Sequence, residues 1–229
     1  MTAVGIVGGL GPESTIDYYR RILEGWWRED PGTAPSIIID SLDVQRGLRL
    51  VESDRPALIE YLLESLLRLA AAGADFAVMA ANTPHVVIDD LVARAPIPLL
   101  SIVDSCAEEA GRLGLRRLGL LGTRFTMEGA FYPQTFARYG IKVVSPEESD
   151  RAWLHERYIG QMLKGDFRED TRRDVISLIT RLRDHERIDG VILGGTELTL
   201  LLSAPIIADV PALDTTALHV AAIVKRLRQ

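Results

Sequence analysis

Short runs of β-branched and aliphatic residues alternate with longer amphipathic stretches along the whole chain. That alternation limits the fold more than any other feature of the sequence. Parallel strands need a crossover between them, usually a helix, whereas hairpins would give strand next to strand. Candidate strands fall at 3–7, 36–39, 76–79, 98–101, 117–121, 142–144, 190–193 and 212–214. Amphipathic stretches at 56–72, 102–113 and 172–186 space their apolar residues three and four apart. The expected class is α/β, with mainly parallel sheets flanked by helices.

The chain makes nearly the same statement twice. One candidate strand ends in Ala81-Asn82-Thr83-Pro84-His85 and a later one in Gly194-Gly195-Thr196-Glu197-Leu198. Each sets small and hydroxyl-bearing residues at the carboxyl end of a buried strand, where open α/β sheets bind ligands. The 229 residues are enough for two compact lobes. The reading is two similar lobes with a ligand cleft between them, the first over 1–98 plus 210–229 and the second over 99–209. On this reading Ala81 and Gly195 face one another across the cleft.

Charge and residue usage exclude several classes. The net charge of -6 is modest and both signs are interspersed, so no basic stripe is offered to nucleic acid. No stretch reaches the roughly 20 apolar residues a membrane-spanning helix needs, and the opening residues lack a basic leader, so a cytoplasmic protein is expected. A single cysteine, Cys106, precludes an intramolecular disulfide framework and reads as a small core residue. His85, His155, His185 and His219 are scattered without metal-ligand spacing. The first glycines, at 5, 8, 9 and 11, do not fit the dinucleotide pattern G-x-G-x-x-G. No metal and no cofactor are expected. Pro12 suits the first turn of a helix, whose amides beside Gly11 can receive a carboxylate; a plain strand-to-helix turn is the alternative.

Four segments together resemble the aspartate/glutamate racemases that work without pyridoxal phosphate. They are Gly5-Ile6-Val7-Gly8-Gly9-Leu10-Gly11-Pro12-Glu13-Ser14-Thr15 with Tyr18-Tyr19-Arg20, the stretch from Ala81 to His85, Leu121-Gly122-Thr123-Arg124-Phe125-Thr126-Met127 with Phe131-Tyr132, and Gly194-Gly195-Thr196-Glu197. The resemblance implies an amino-acid racemase, a cytoplasmic homodimer whose partner is a small amino dicarboxylate, aspartate or glutamate. It assigns hydrogen bonds to the α-carboxylate to Asn82, Thr83 and Thr196, and further ligand contacts to Thr123 and Thr126. Lys164 and, more loosely, Arg46 are candidate cations for the second carboxylate, which needs a charged partner when desolvated; both also read as solvated surface charges, and so does Arg124. Trp26-Trp27 serves either an apolar subunit contact or the core.

The sequence departs from the family where the chemistry should be. The resemblance implies a cysteine immediately before the Asn-Thr pair and another before the second-lobe threonine, one on each face of the α-carbon. Ala81 and Gly195 stand there, and neither side chain exchanges a proton. Glu197 and His85 are the nearest titratable groups. Natural use of other residues, binding without catalysis, and engineered removal all fit this departure. Little ordinary racemisation is expected, with cysteines at both 81 and 195 restoring it. The alternatives are a non-catalytic dicarboxylate-binding homologue and a related isomerase or decarboxylase.

Overall fold

The computed structural model describes residues 2–229. The chain folds into two compact units, one running through Ile102 and resuming at His219–Gln229, the other Val103–Leu218.

The first unit is built on β1 (Ala3–Gly8), β2 (Ser36–Ser41) and β3 (Phe76–Met79), paired in parallel in the order β2-β1-β3. Helix α1 (Pro12–Trp27) joins β1 to β2, and α2 (Val44–Ser53) with α3 (Arg55–Ala71) joins β2 to β3. After β3 a 3-10 turn, Thr83–Val87, runs into α4 (Ile88–Arg94). The central strand is buried at every position, as expected for a parallel strand covered on both faces. Tyr18, Ile22 and Trp26 of α1 pack on Ile6, Val78 and the chain's C-terminal residues Val220, Ile223 and Val224. The tryptophan pair is thereby divided: Trp26 enters this core, while Trp27 is exposed and donates its indole N–H to the Thr33 carbonyl at 2.9 Å.

In the second unit α5 (Ile102–Arg112) leads to β4 (Arg117–Gly122), then α6 (Arg124–Glu128) and α7 (Phe131–Ala137). Strand β5 (Lys142–Val144), α8 (Glu148–Gly160), a 3-10 turn at Met162–Lys164 and α9 (Glu169–Glu186) follow. The unit continues with β6 (Gly190–Gly194), α10 (Thr196–Leu201), β7 (Ile206–Ile207) and β8 (Val210–Asp214), after which α11 (Thr215–Leu227) begins and from His219 onward belongs to the first unit. The sheet order is β5-β4-β6-β8-β7, parallel except for β7. Leu154 and Tyr158 of α8, and Val175, Leu178 and Ile179 of α9, pack with Val191 and Leu193 in its core.

Two expectations from the sequence need correction, and one element was not anticipated. The stretch 98–101 forms only a single parallel bridge, Ala77 to Leu99, rather than a strand. The short antiparallel β7 was not foreseen. The chain returns to the first unit at His219 rather than near residue 210, because β8 pairs with β6 from Val191–Ala212 to Leu193–Asp214 and so completes the second sheet.

Candidate active site

In each unit two neighbouring parallel strands deliver the motif residues to one sheet edge. In the first unit Val7 of β1 pairs with Met79 of β3, so the turn at Gly9–Gly11 and the stretch from Ala81 leave the sheet side by side. Gly9 has φ +77, and a Cβ there would stand 2.3 Å from the Leu42 carbonyl oxygen; only glycine fits both the left-handed backbone and the close approach. Its N–H donates to Thr15 Oγ1 at 2.9 Å, and that hydroxyl donates to the Gly11 carbonyl at 3.1 Å. Gly11 precedes α1 without a side-chain cap and Pro12 takes the first helical position, the arrangement expected from the sequence. Asn82 is buried, Thr83 half-buried and Ala81 buried. The His85 ring is fully buried, its Nδ1 3.2 Å from the Asn82 carbonyl, which braces the 3-10 turn.

Arg46 lies in the first turn of α2, which follows β2 at the same edge. The Asp43 carboxylate accepts from the backbone amides of Gln45 at 2.8 Å and Arg46 at 3.3 Å, capping the helix. Tyr61 accepts from the Asp43 amide at 2.8 Å and carries the Arg46 guanidinium 4.3 Å from its ring centre. Arg46 is exposed, yet this stacking gives it a fixed place.

The second unit repeats the arrangement with Gly122 of β4 paired to Gly194 of β6. Beyond Gly122, Thr123 caps α6 by accepting from the Thr126 amide at 3.3 Å, and the two threonine hydroxyls lie 3.2 Å apart, both buried. The Arg124 amide donates to His155 Nδ1 at 3.3 Å; its side chain is half-buried. Beyond Gly194, Thr196 opens α10 and is buried with Glu197. The Thr196 hydroxyl donates to Glu197 Oε2 at 3.1 Å, so its single proton is engaged by this carboxylate. Lys164 is exposed on the 3-10 turn that packs against α10.

Gly195 is the informative position. A Cβ there would lie 2.5 Å from Tyr158 Cε2 and 2.7 Å from its hydroxyl oxygen. Real Cβ atoms do not approach so closely; the buried ring of Tyr158 fills the volume a side chain at 195 would need. Its hydroxyl donates to Glu197 Oε2 in a close hydrogen bond and accepts weakly from the Glu197 amide at 3.4 Å. Burial pushes the Tyr158 phenol well above its ordinary range, and the neighbouring Glu197 carboxylate adds to the rise. The phenol is therefore a neutral donor. Sequence reading missed this residue because it lies 39 positions before Glu197 on an amphipathic helix, where a tyrosine four residues after Leu154 reads as core. The only local signal was a glycine where a side chain was expected.

Cys106 is fully buried, and burial raises its thiol far out of reach of a thiolate; it is the core residue expected. Among the described residues no helix is long and apolar enough to cross a membrane, and no cluster of His, Cys, Asp and Glu could hold a metal ion.

One titratable group outside the motifs yields a prediction. His219 of α11 accepts from the Tyr18 hydroxyl at Nδ1, 2.9 Å away, and donates from Nε2 to the Leu100 carbonyl at 3.0 Å. Burial first, and nearby His85 second, hold its pKa down to about 3 against an ordinary 6.5. The unfolded chain takes up the proton first as pH falls, so stability is lost from pH 6.5 downward and the loss levels off near 3. At one pKa unit per 1.36 kcal/mol, about 2 kcal/mol should be lost by pH 5. Denaturant midpoints at pH 7 and 5 should show the loss, and His219→Gln should flatten it. An equally steep loss in that variant would rule the group out.

The molecule is thus an α/β protein of two units, each bringing hydroxyl, amide and small residues to the carboxyl edge of a mainly parallel sheet, with a carboxylate–phenol pair at one of them. The chain belongs to the Asp/Glu/Hydantoin racemase family, whose model matches residues 7–223. A Yersinia pestis structure provisionally named an Asp/Glu racemase is 34% identical, with both chains covered completely and a TM-score of 0.88. An aspartate racemase homologue from Pyrococcus horikoshii OT3 is 32% identical, again with complete coverage of both chains, at a TM-score of 0.83. The broad specificity amino-acid racemase RacX of Bacillus subtilis is 22% identical over 218 residues, 93% of each chain.

Proposed function

We propose that this protein binds a small amino dicarboxylate and exchanges its α-proton without a cofactor, from one face of the α-carbon only. The observation that carries the reading is the twofold sheet-edge arrangement combined with its asymmetry. Both units present amide and hydroxyl groups at adjacent strand ends, but only the second sets a proton-accepting carboxylate, Glu197, beside its motif; the first has Ala81 at the corresponding place.

In this reading Asn82, Thr83 and Thr196 donate to the α-carboxylate, with Thr196 exchanging its bond to Glu197 for one to the ligand. Fixed donors at a carboxylate also stabilise the charge that accumulates there when the α-proton leaves. Thr123 and Thr126 line the same strand edge as Thr196 and contact the ligand, with the Gly11 turn contributing amides. Arg46, steadied on Tyr61, and Lys164 are the cations for the second carboxylate. Inversion is slow because a proton removed from one face must be replaced from the other, and an alanine methyl supplies none. His85, buried and bonded within its own turn, has a bracing role rather than that of the second base.

Titration calorimetry with aspartate and glutamate tests the binding half of the proposal. Binding of at least one is expected, and Thr83→Val and Thr196→Val should each weaken it roughly 10- to 100-fold, the effect of losing a hydrogen bond to a charged group of about 1.5–3 kcal/mol. No binding of either amino acid, or unchanged affinity in both variants, would defeat it.

A further inference from the structure

We propose that Tyr158 is the catalytic residue at the second sheet edge, its hydroxyl exchanging a proton with the substrate α-carbon while Glu197 takes and returns the phenolic proton. This deepens the reading just given and rests on it.

The geometry supports the assignment in three ways. The phenol oxygen occupies the side-chain volume of Gly195, 2.7 Å from where a Cβ would be, so this hydroxyl stands where a functional side chain at 195 would. It is the proton donor to Glu197, so the carboxylate is already placed to take the phenolic proton as the phenol oxygen receives another. Glu197 in turn is held by the Thr196 hydroxyl and its own buried setting, so the pair is preorganised. A glycine at 195 is then required, because any side chain would displace the ring.

The step balances as follows. The α C–H bond breaks and its electron pair moves into the α-carboxylate as an enediolate. The α-proton bonds to the Tyr158 oxygen as the phenol's own proton passes to Glu197 Oε2. Reversal returns the proton on the Tyr158 oxygen to the same face, so the product is labelled when that phenolic proton is replaced from solvent, directly or by trading places with an exchanged proton on Glu197, before it returns. No full negative charge need rest on the buried phenol oxygen, which matters because its environment strongly disfavours the phenolate.

The test is α-proton exchange in deuterated water, followed by proton NMR, with aspartate and with glutamate. Tyr158→Phe keeps the ring over Gly195 and removes only the hydroxyl; it should bind the amino acid with little change in affinity and lose exchange by about 10²-fold or more, the usual contribution of one acid–base group. Glu197→Gln preserves shape and a hydrogen bond to the phenol but accepts no proton, and should show the same loss of rate without loss of affinity. It also serves if Tyr158→Phe fails to fold. Exchange at the unmodified rate in either folded variant overturns the relay while leaving the binding reading intact. Binding without any exchange by the unmodified protein also overturns it. Absence of binding by the unmodified protein overturns the proposed function and the relay with it.

Discussion

Replacing Ala81 by Cys, alone, should raise racemisation of the bound amino dicarboxylate by about 10²-fold or more. General acid–base groups typically contribute about 10² to 10⁴ each, and the second unit already carries its own proton-transfer pair in Tyr158 and Glu197. In the proposed reading it is position 81, an alanine, that leaves the other face without a donor. Position 81 is buried at the end of β3, and the change adds one sulfur atom where a methyl group now stands. Chiral chromatography of aspartate and glutamate incubated with the variant reads the gain. Equal, slow inversion by variant and unmodified protein would mean that 81 is not the missing face.

The same substitution at the other motif should do the opposite. Gly195→Cys drives a Cβ to within 2.5–2.9 Å of two ring carbons and the hydroxyl oxygen of Tyr158, a buried side chain packed in the second core. Overpacking of this kind costs about 1–3 kcal/mol, and the displaced phenol surrenders its bond to Glu197. The variant should be destabilised and its α-proton exchange should fall. Truncating the ring should relieve the clash, so Gly195→Cys in a Tyr158→Ala background should cost less than the sum of the two single changes. Strict additivity, or a gain of racemisation by Gly195→Cys alone, would contradict the placement of the ring. The sequence-based expectation has cysteines at both 81 and 195 restoring racemisation; with the Tyr158 ring beside Gly195, the predicted gain is kept at 81 and reversed at 195.

This contrast shows what was legible in the sequence. The strand at 76–79 coincides with β3, since a buried parallel strand is a continuous apolar run bounded by breaks; 142–144 coincides with β5, a short edge strand read from its paired valines. The motif residues at 82, 83, 123, 126 and 196 fall at carboxyl strand ends as read, because small and hydroxyl residues after such a run mark that edge. The stretch at 98–101 looked equally strand-like, but Pro98 lacks an N–H and the segment finds only one partner residue in β3. The return of the chain to the first unit could not be placed by pattern, since β8 is apolar enough to serve either sheet and only its pairing with β6 decides. Tyr158 was illegible for a different reason. The chemistry of position 195 depends on a side chain from a distant helix, and a glycine carries no information about what fills the space beside it.

The most direct measurement is incubation of the unmodified protein with each enantiomer of aspartate and of glutamate in deuterated water, following α-deuteration by NMR and inversion by chiral analysis together. One-sided chemistry predicts that deuterium enters one enantiomer with its configuration retained, at least about 10²-fold faster than the opposite enantiomer appears. Rapid interconversion of the D and L forms, keeping pace with deuteration, would contradict it and show that groups other than a Tyr158–Glu197 pair serve the second face.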